Sequence, residues 1–226
     1  MLRQTFERDL QRLQDEVLVL GSMVKKAILE AVESLKNRDR EAARRLIAGD
    51  RVINEKRFAI ESETLTLIAT QQPMASDLRT LAAVLEIATE LERIGDYAKG
   101  IAKINLLMGE EPLLKPLIDI PQMADKAMDM LERALDAFVR RDVDVARAIP
   151  LEDDQVDALY NQVYRELLTF IMADPRTLNQ ATYLLWVAHN LERAADRVTN
   201  ICERVVFTVT GKMQEMDVED GRESYS

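Results

Sequence analysis

Apolar residues recur at every third or fourth position through most of the chain, which is the spacing of one face of an α-helix. The clearest run extends from Phe6 to Lys36. Its apolar stripe consists of Leu10, Leu13, Val17, Leu20, Val24, Ala27, Ala31 and Leu35. The pattern predicts a second helix over about Asp50–Thr70 and, after a break at 71–73, a third over about Ser76–Leu107. Three helices are therefore expected in the first half.

The second half of the chain repeats the first. Residues 23–39 align with residues 126–142 at an offset of 103, and residues 77–101 align with residues 177–201 at an offset of 100. In the latter block, eight of 25 positions are identical, whereas chance would give about one or two. Two matching blocks in the same order indicate an internal duplication of a three-helix unit.

Proline marks the boundary between the two copies. Three of the six prolines fall between residues 112 and 121, and proline interrupts a helix because it lacks the backbone donor. The expected fold is all-α, with two tandem, internally duplicated three-helix bundles; one long irregular α-domain is the alternative. The expected divisions are a first repeat at 1–110, a Pro-rich linker at 111–121, a second repeat at 122–210 and an acidic disordered tail at 211–226.

Composition narrows the class of protein. Seven Gly and six Pro in 226 residues are fewer turn residues than an all-β fold needs. The net charge of −10 disfavours nucleic acid as a partner, because nucleic acid is a polyanion. A single cysteine, a charged N-terminal region and no apolar run of membrane-spanning length predict a cytoplasmic protein. Such a protein would reach a membrane only by recruitment.

Paired carboxylates are the strongest candidates for chemistry. Glu92 and Asp96 in the first copy correspond to Glu192 and Asp196 in the second. Acids four residues apart lie on one helix face and repel each other at a cost of a few tenths of a kcal/mol. A cation turns that repulsion into attraction, and carboxylates projecting from helix bundles hold metal ions in this way. Repetition of the pair at the same place in both copies indicates a use.

A second set of acids lies one helix earlier. Asp153 and Asp157 also share a helix face, and their first-copy counterparts are Asp50 and Asn54. Two helices in each copy are thus expected to present acidic or amide ligands. Solvated surface is the alternative, because 40 acids in one chain produce many such pairs by accident. The single histidine, His189, precedes Glu192 by three residues and is either a further ligand or a hydrogen-bonded helix residue.

The remaining residues of the sequence form no recognisable catalytic motif. Cys202 is expected in the core or near it, and Trp186 and the ten methionines are expected to be packing residues. The sequence has no Gly-rich phosphate loop, no nucleophile elbow and no paired-cysteine zinc motif. No nucleophile, base and oxyanion site can be assembled from the motifs present. We therefore predict a protein that is not an enzyme and has no catalytic residues.

Two segments together resemble the PhoU family of phosphate-uptake regulators. The first contains Gln72-Pro73, Ala75 and Asp77-Leu78-Arg79, and the second is Leu91-Glu92-Arg93-Ile94-Gly95-Asp96. The resemblance covers about residues 5–210, including the duplicated three-helix architecture. It implies a usually dimeric cytoplasmic regulator that restrains the phosphate-starvation response. The implied partners are the ATPase subunit of the phosphate ABC transporter and a phosphate-sensing histidine kinase.

The resemblance also implies metal. Members of this family hold multinuclear clusters of iron, zinc or other divalent cations on acidic motifs. The positions of this chain that match those motifs are Asp50, Glu92, Asp96, Asp153, Asp157, Glu192 and Asp196. Asn54 and Arg57 stand where the family usually or frequently has acids, so the second copy is expected to bind metal more tightly.

Two rival functions belong to other classes. A carboxylate-bridged metalloenzyme or metal-storage protein would use the same acids, but such enzymes typically need two Glu-x-x-His elements. One histidine cannot supply them. A helix-bundle scaffold with solvated acids would bind no metal at all. A regulatory adaptor is the leading interpretation.

Overall fold

The structure is a computed structural model that describes residues 2–216, and all of its regular structure within that range is helical. Seven α-helices follow one another as α1 (Leu2–Lys36), α2 (Arg40–Gln71), α3 (Ala75–Leu107), α4 (Asp119–Arg140), α5 (Val143–Ala148), α6 (Asp153–Ala173) and α7 (Leu178–Thr210). Short 3₁₀-helices at Ile149–Glu152 and Pro175–Thr177 connect α5 to α6 and α6 to α7. The all-α prediction is confirmed.

The helices form two three-helix bundles that share one core. Helices α1, α2 and α3 pack against one another, as do α4, α6 and α7, and α5 lies against α4 and α7. The bundles meet through two contacts, α3 with α7 and α1 with α4. Buried side chains from both bundles belong to a single hydrophobic cluster. The prediction of two tandem three-helix bundles is therefore also confirmed.

The α3–α7 contact carries a buried polar network. Glu90 of α3 is 9% exposed and accepts hydrogen bonds from Arg93 (2.7 Å), Asn200 (3.2 Å) and Arg197 (3.4 Å). Further along α3, a Cβ on Gly100 would lie 3.2 Å from the Asn190 side chain. Residue 90 thus contacts residue 200, and residue 100 lies beside residue 190. The two helices are therefore antiparallel where they pack.

The first turn after each initial long helix is built the same way in both copies. Arg38 and Arg141 adopt left-handed backbone conformations, with φ of 57° and 58°. The next residues, Asp39 and Asp142, cap the following helices by accepting a backbone N–H three residues on, at 2.9 and 3.1 Å. Aspartate is a preferred N-cap because its side chain satisfies a donor that the helix leaves unpaired.

The helix that follows differs between the copies. The prediction that it starts near Asp50 is wrong in the first copy, because α2 is continuous from Arg40. The Asp39 cap and the good helix formers after it sustain a segment that lacks a regular apolar stripe. In the second copy, Pro150 occupies the position of Ile47 and ends the helix, because it cannot donate the required hydrogen bond.

Several predicted core residues prove to be exposed. Cys202 is fully buried, as expected, and burial raises the pKa of its thiol to about 12. Trp186, however, is 52% exposed and Met172 is 83% exposed, so the prediction that these residues are packing residues is wrong. Both lie outside the apolar stripes of their helices. Trp186 instead makes an edge contact with Tyr183.

The C-terminal segment begins at a glycine cap and turns back on α7. Gly211 has a φ of 72° and ends the helix. Met216 packs against the core, and its backbone N–H donates to the Glu203 carboxylate at 2.9 Å. Residues 217–226 of the predicted acidic tail lie outside the described residues. None of the helices described for residues 2–216 is both long and apolar enough to cross a membrane.

Candidate functional site

Small residues let the acid-bearing helices approach each other. Gly95 on α3 faces α2, where a Cβ would lie 3.2 Å from the Ile53 side chain. Its counterpart Ala195 on α7 is fully buried. Each bundle therefore brings the acids of two neighbouring helices onto one shared face. We call the two groups the first acid set, on α2 and α3, and the second acid set, on α6 and α7.

The second acid set consists of Asp153 and Asp157 on α6 with Glu192 and Asp196 on α7. Burial, aided by the negative charges of Asp196, Asp157 and Glu192, raises the pKa of Asp153 to about 7. Burial and the charges of Asp196 and Asp157 raise the pKa of Glu192 to about 7, which Arg193 only partly opposes. Burial is the larger cause of both shifts, and the negative charges of neighbouring acids of the set add to it.

Two carboxylate oxygens of this set are buried without a hydrogen-bond partner. They are Asp153 Oδ1 and Glu192 Oε2. His189 Nδ1 lies 3.2 Å from Glu192 Oε2 but does not have hydrogen-bond geometry, and the imidazole is half exposed. Because an unsatisfied buried polar atom costs about 1–3 kcal/mol, these oxygens favour a group that supplies positive charge.

The first acid set already contains positive charge. Lys99 on α3 donates from its ammonium to Asp50 Oδ2 at 2.6 Å, and the same ammonium lies 3.6 Å from Asp96 Oδ1. Asn54 donates a second hydrogen bond to Asp50 Oδ2 at 3.1 Å. The hydrogen bond to Asp50 raises the pKa of Lys99. Asp50 is thus buried, at 7% exposure, and its Oδ2 accepts from both Lys99 and Asn54.

The charges around Glu92 differ from those around its counterpart Glu192. Burial and the charge of Asp96 raise the pKa of Glu92, but the positive charge of Arg57 opposes the rise. Arg57 also forms an ion pair with Glu61 at 3.0 Å. The equivalent of Arg57 in the second copy is Tyr160, which brings no positive charge.

Only the second acid set fits a bound cation. Its donors are hard carboxylate oxygens, and among the described residues Asp153 Oδ1 and Glu192 Oε2 are buried without a hydrogen bond. The first acid set does not fit, because an ammonium group already neutralises Asp50. Within residues 2–216, no three His, Cys, Asp or Glu side chains are grouped closely enough to form a finished metal site. The metal residues predicted from sequence therefore stay predictions.

Sequence reasoning missed Lys99 and Arg57 as partners of the acids. The available signal was the comparison of the two copies, since Lys99 aligns with Thr199 and Arg57 with Tyr160. Both differences place a cation in the first copy where the second has a neutral side chain.

The second acid set predicts a pH-dependent stability. The pKa of Asp153 is about 7 in the folded state against an ordinary 3.8, so the folded state binds more protons between those pH values. Stability is therefore lost as the pH rises from about 4 through 7. In metal-free protein, Asp153→Asn is expected to raise the free energy of unfolding at pH 8 by about 1–2 kcal/mol, after discounting for solvent screening. It should change little at pH 5.

Asp50→Asn is the matched comparison, and urea denaturation in a chelator measures both variants. Because Asp50 is ion-paired with Lys99, this substitution should destabilise the protein at pH 8. A stabilising Asp50→Asn, or an Asp153→Asn with the same effect at pH 5 and pH 8, would contradict this interpretation of the two acid sets.

The fold and the two acid sets define a class: tandem three-helix-bundle proteins with repeated carboxylate pairs. The PhoU domain matches residues 17–104 and 120–205. The chain is 39% identical to the phosphate-specific transport system accessory protein PhoU homolog of Clostridium acetobutylicum, covering 96% of this chain and 100% of that protein. It is 35% identical to the PhoU accessory protein of Escherichia coli K12, covering 92% and 86%.

Solved structures agree. The crystal structure of the phosphate transport system regulatory protein PhoU from Streptococcus pneumoniae superposes with a TM-score of 0.85 at 33% identity, covering 92% of this chain and 99% of that one. PhoU from Pseudomonas aeruginosa also gives 0.85, at 32% identity and 92% and 100% coverage. The chain belongs to the PhoU family.

Proposed function

We propose that this protein regulates phosphate uptake and phosphate homeostasis as a negative regulator of the phosphate-starvation response. The observation that carries the proposal is the match to PhoU accessory proteins over 96% of the chain, including both domain copies. In this proposal the protein is not an enzyme. It acts in the cytoplasm and reaches the membrane only through its partners.

The proposed partners are the ATPase subunit of the phosphate ABC transporter and a phosphate-sensing histidine kinase, between which the protein acts as an adaptor. A homodimer is the proposed assembly. Exposed apolar side chains on α6 and α7 supply a surface for such contacts, and Trp186 is the largest of them. Tryptophan is among the residues that contribute most to protein interfaces. The net charge of −10 supports protein rather than nucleic acid as the partner.

Metal binding by the second acid set is part of the proposal. Asp153, Asp157, Glu192 and Asp196 would hold a divalent cation or a multinuclear iron or zinc cluster. The cation would neutralise carboxylates whose mutual repulsion Arg193 only partly opposes. A metalloenzyme or metal-storage role is not favoured, because one histidine cannot complete the usual di-metal ligand set.

A deletion strain tests the regulatory function. Without the protein, phosphate-starvation genes should stay expressed in phosphate-rich medium, because the inhibitory contact with the kinase is lost. Wild type and Phe58→Ala should restore repression, whereas Trp186→Ala should restore it poorly and should recover less ATPase subunit or kinase in pull-downs. Phe58 is the matched control, because it is an equally exposed aromatic residue on α2.

Normal repression in a clean deletion without a paralogue would refute the regulatory function. If repression fails but neither partner associates with the purified protein at micromolar concentration, the adaptor mechanism is wrong although the regulatory role stands. Circular dichroism of Trp186→Ala verifies that the variant is folded.

A further inference from the structure

Lys99 occupies the centre of the first acid set. Its ammonium contacts Asp50 of α2 at 2.6 Å and Asp96 of α3 at 3.6 Å. It therefore joins carboxylates from two helices, which is the geometry by which a bridging cation draws acid-bearing helices together. The Asp50 side chain is 8% exposed and that of Lys99 is 29% exposed, so water screens this ion pair much less than a surface pair.

The second acid set has no equivalent of this ammonium. Thr199 aligns with Lys99, and its buried hydroxyl has no hydrogen-bond partner. Asp153 Oδ1 and Glu192 Oε2 accept no hydrogen bond either, although His189 Nδ1 lies 3.2 Å from the latter. The two copies thus carry acids at matching positions, except that Asn54 replaces one acid in the first copy. They differ also in the side chain beside these acids, which is an ammonium at Lys99 and a neutral hydroxyl at Thr199.

The first acid set is also open to solvent ions. A cleft of about 500 Å³ between α1, α2 and α3 is lined by residues that include Asp50 and Lys99. Small cations can therefore reach Asp50, so lack of access does not distinguish this bundle from a metal site.

We propose that Lys99 is a built-in cation that takes the place of a metal ion in the first bundle, holding α2 to α3 through Asp50 and offsetting the charge of Asp96 on its own helix. The first bundle is then stable without metal, and any metal dependence of the protein lies in the second. This inference concerns Lys99 itself and stands whether or not the second acid set binds metal.

A double-mutant cycle tests the link between Lys99 and Asp50. In the full-length protein with excess chelator, Lys99→Met should lower the melting temperature by about 5 °C, because Asp50 is left buried without its counterion. Asp50→Asn should also lower it. The double variant should lose clearly less than the sum of the two single changes. Lys103→Met, one turn later on α3 and exposed, is the matched control and should change little.

Manganese addition distinguishes a built-in cation from an ordinary ion pair. Removal of the ammonium takes away the positive charge next to Asp50 and Asp96, so Mn²⁺ should restore most of the lost melting temperature in Lys99→Met. It should restore much less in the Lys99→Met/Asp50→Asn protein. To exclude an effect of the second acid set, each protein also carries Glu192→Gln and Asp196→Asn.

Two results would overturn the proposal. One is strict additivity of the two substitutions in chelator, which would mean that Lys99 and Asp50 do not act together. The other is equal Mn²⁺ stabilisation of Lys99→Met and of the protein that retains Lys99, which would mean that the ammonium does not occupy a cation's place. Neither readout depends on phosphate regulation, so failure of the proposed function is detected separately.

Discussion

Changing Glu192 to Gln together with Asp196 to Asn is expected to abolish the stabilisation of the protein by Mn²⁺, whereas Glu92→Gln with Asp96→Asn should leave most of it. Divalent cations are held by the summed charge of hard oxygen ligands. The second acid set offers four carboxylates and two buried unpartnered oxygens. The first acid set has Asn54 in place of one acid and Lys99 already bound to Asp50.

The size of the effect follows from binding linkage. A ligand present at 100 times its dissociation constant stabilises the folded state by about 2.7 kcal/mol, which corresponds to about 5–10 °C in a chain of this length. Melting curves with and without Mn²⁺, and metal content after purification, measure it. If neither double variant loses metal and each gains slightly in stability, the acids are solvated surface, because removing repulsion between neighbouring acids is then the only effect.

Replacing Asn105 by Ala should destabilise the protein by about 3 kcal/mol, the largest effect that we expect from a single substitution outside the apolar core. Asn105 is fully buried on α3. Its amide donates to the backbone oxygens of Ser34 at 2.9 Å and Asp39 at 3.3 Å, and its carbonyl accepts from Arg38 at 3.0 Å. It thereby satisfies the end of α1 and fixes the turn into α2.

The change would remove the hydrogen bonds of the Asn105 side chain to the Ser34 and Asp39 oxygens and from Arg38, besides opening a cavity. The two oxygens keep a backbone N–H each, and Arg38 keeps its hydrogen bond to the Gly109 oxygen at 2.8 Å. Urea denaturation measures the effect, and Asn37→Ala is the control because Asn37 is exposed and bonds only Glu33 one turn back. A loss below about 1 kcal/mol for Asn105→Ala would show that the turn holds without the amide.

The features that depend on residues close together in the sequence could be predicted. The apolar stripe of α1 could be read directly, since it follows from spacing along one helix. The start of α2 at Arg40 could not, because the first three turns of that helix have no clear stripe. Capping and helix propensity sustain them instead. Pro150 in the second copy shows the converse, because one residue there ends the helix.

Contacts between helices were harder to predict from the sequence. The paired acids could be found by repetition, but the sequence does not show that Lys99 reaches Asp50 across 49 positions. That contact requires the register of α2 on α3, which Gly95 and Ile53 set by close packing. The exposure of Trp186 is similarly a result of how α6 and α7 face solvent. Comparison of the two copies residue by residue recovers part of this information, since it marks where they differ.

The opposed crossing of α3 and α7 gives the molecule an approximate two-fold axis. Glu90 meets Asn200, and their repeat counterparts, Asn190 and Gly100, meet each other in turn. This is the isologous geometry of a C₂ dimer, in which each contact is made twice. The chain is thus organised as a symmetric pair of three-helix subunits fused into one polypeptide.

Because the two halves belong to one chain, their sequences can differ, whereas the subunits of a homodimer are identical. In a dimer of identical subunits, any substitution appears on both sides of the axis, so a lysine introduced beside one acid set would appear beside the other. A fused pair can change one side alone. Lys99 and Thr199 show the outcome, because one half carries an ammonium beside its acids where the other half carries a neutral hydroxyl. The two halves share one three-helix fold, and the side chains beside their acid sets differ, so the halves can have different roles.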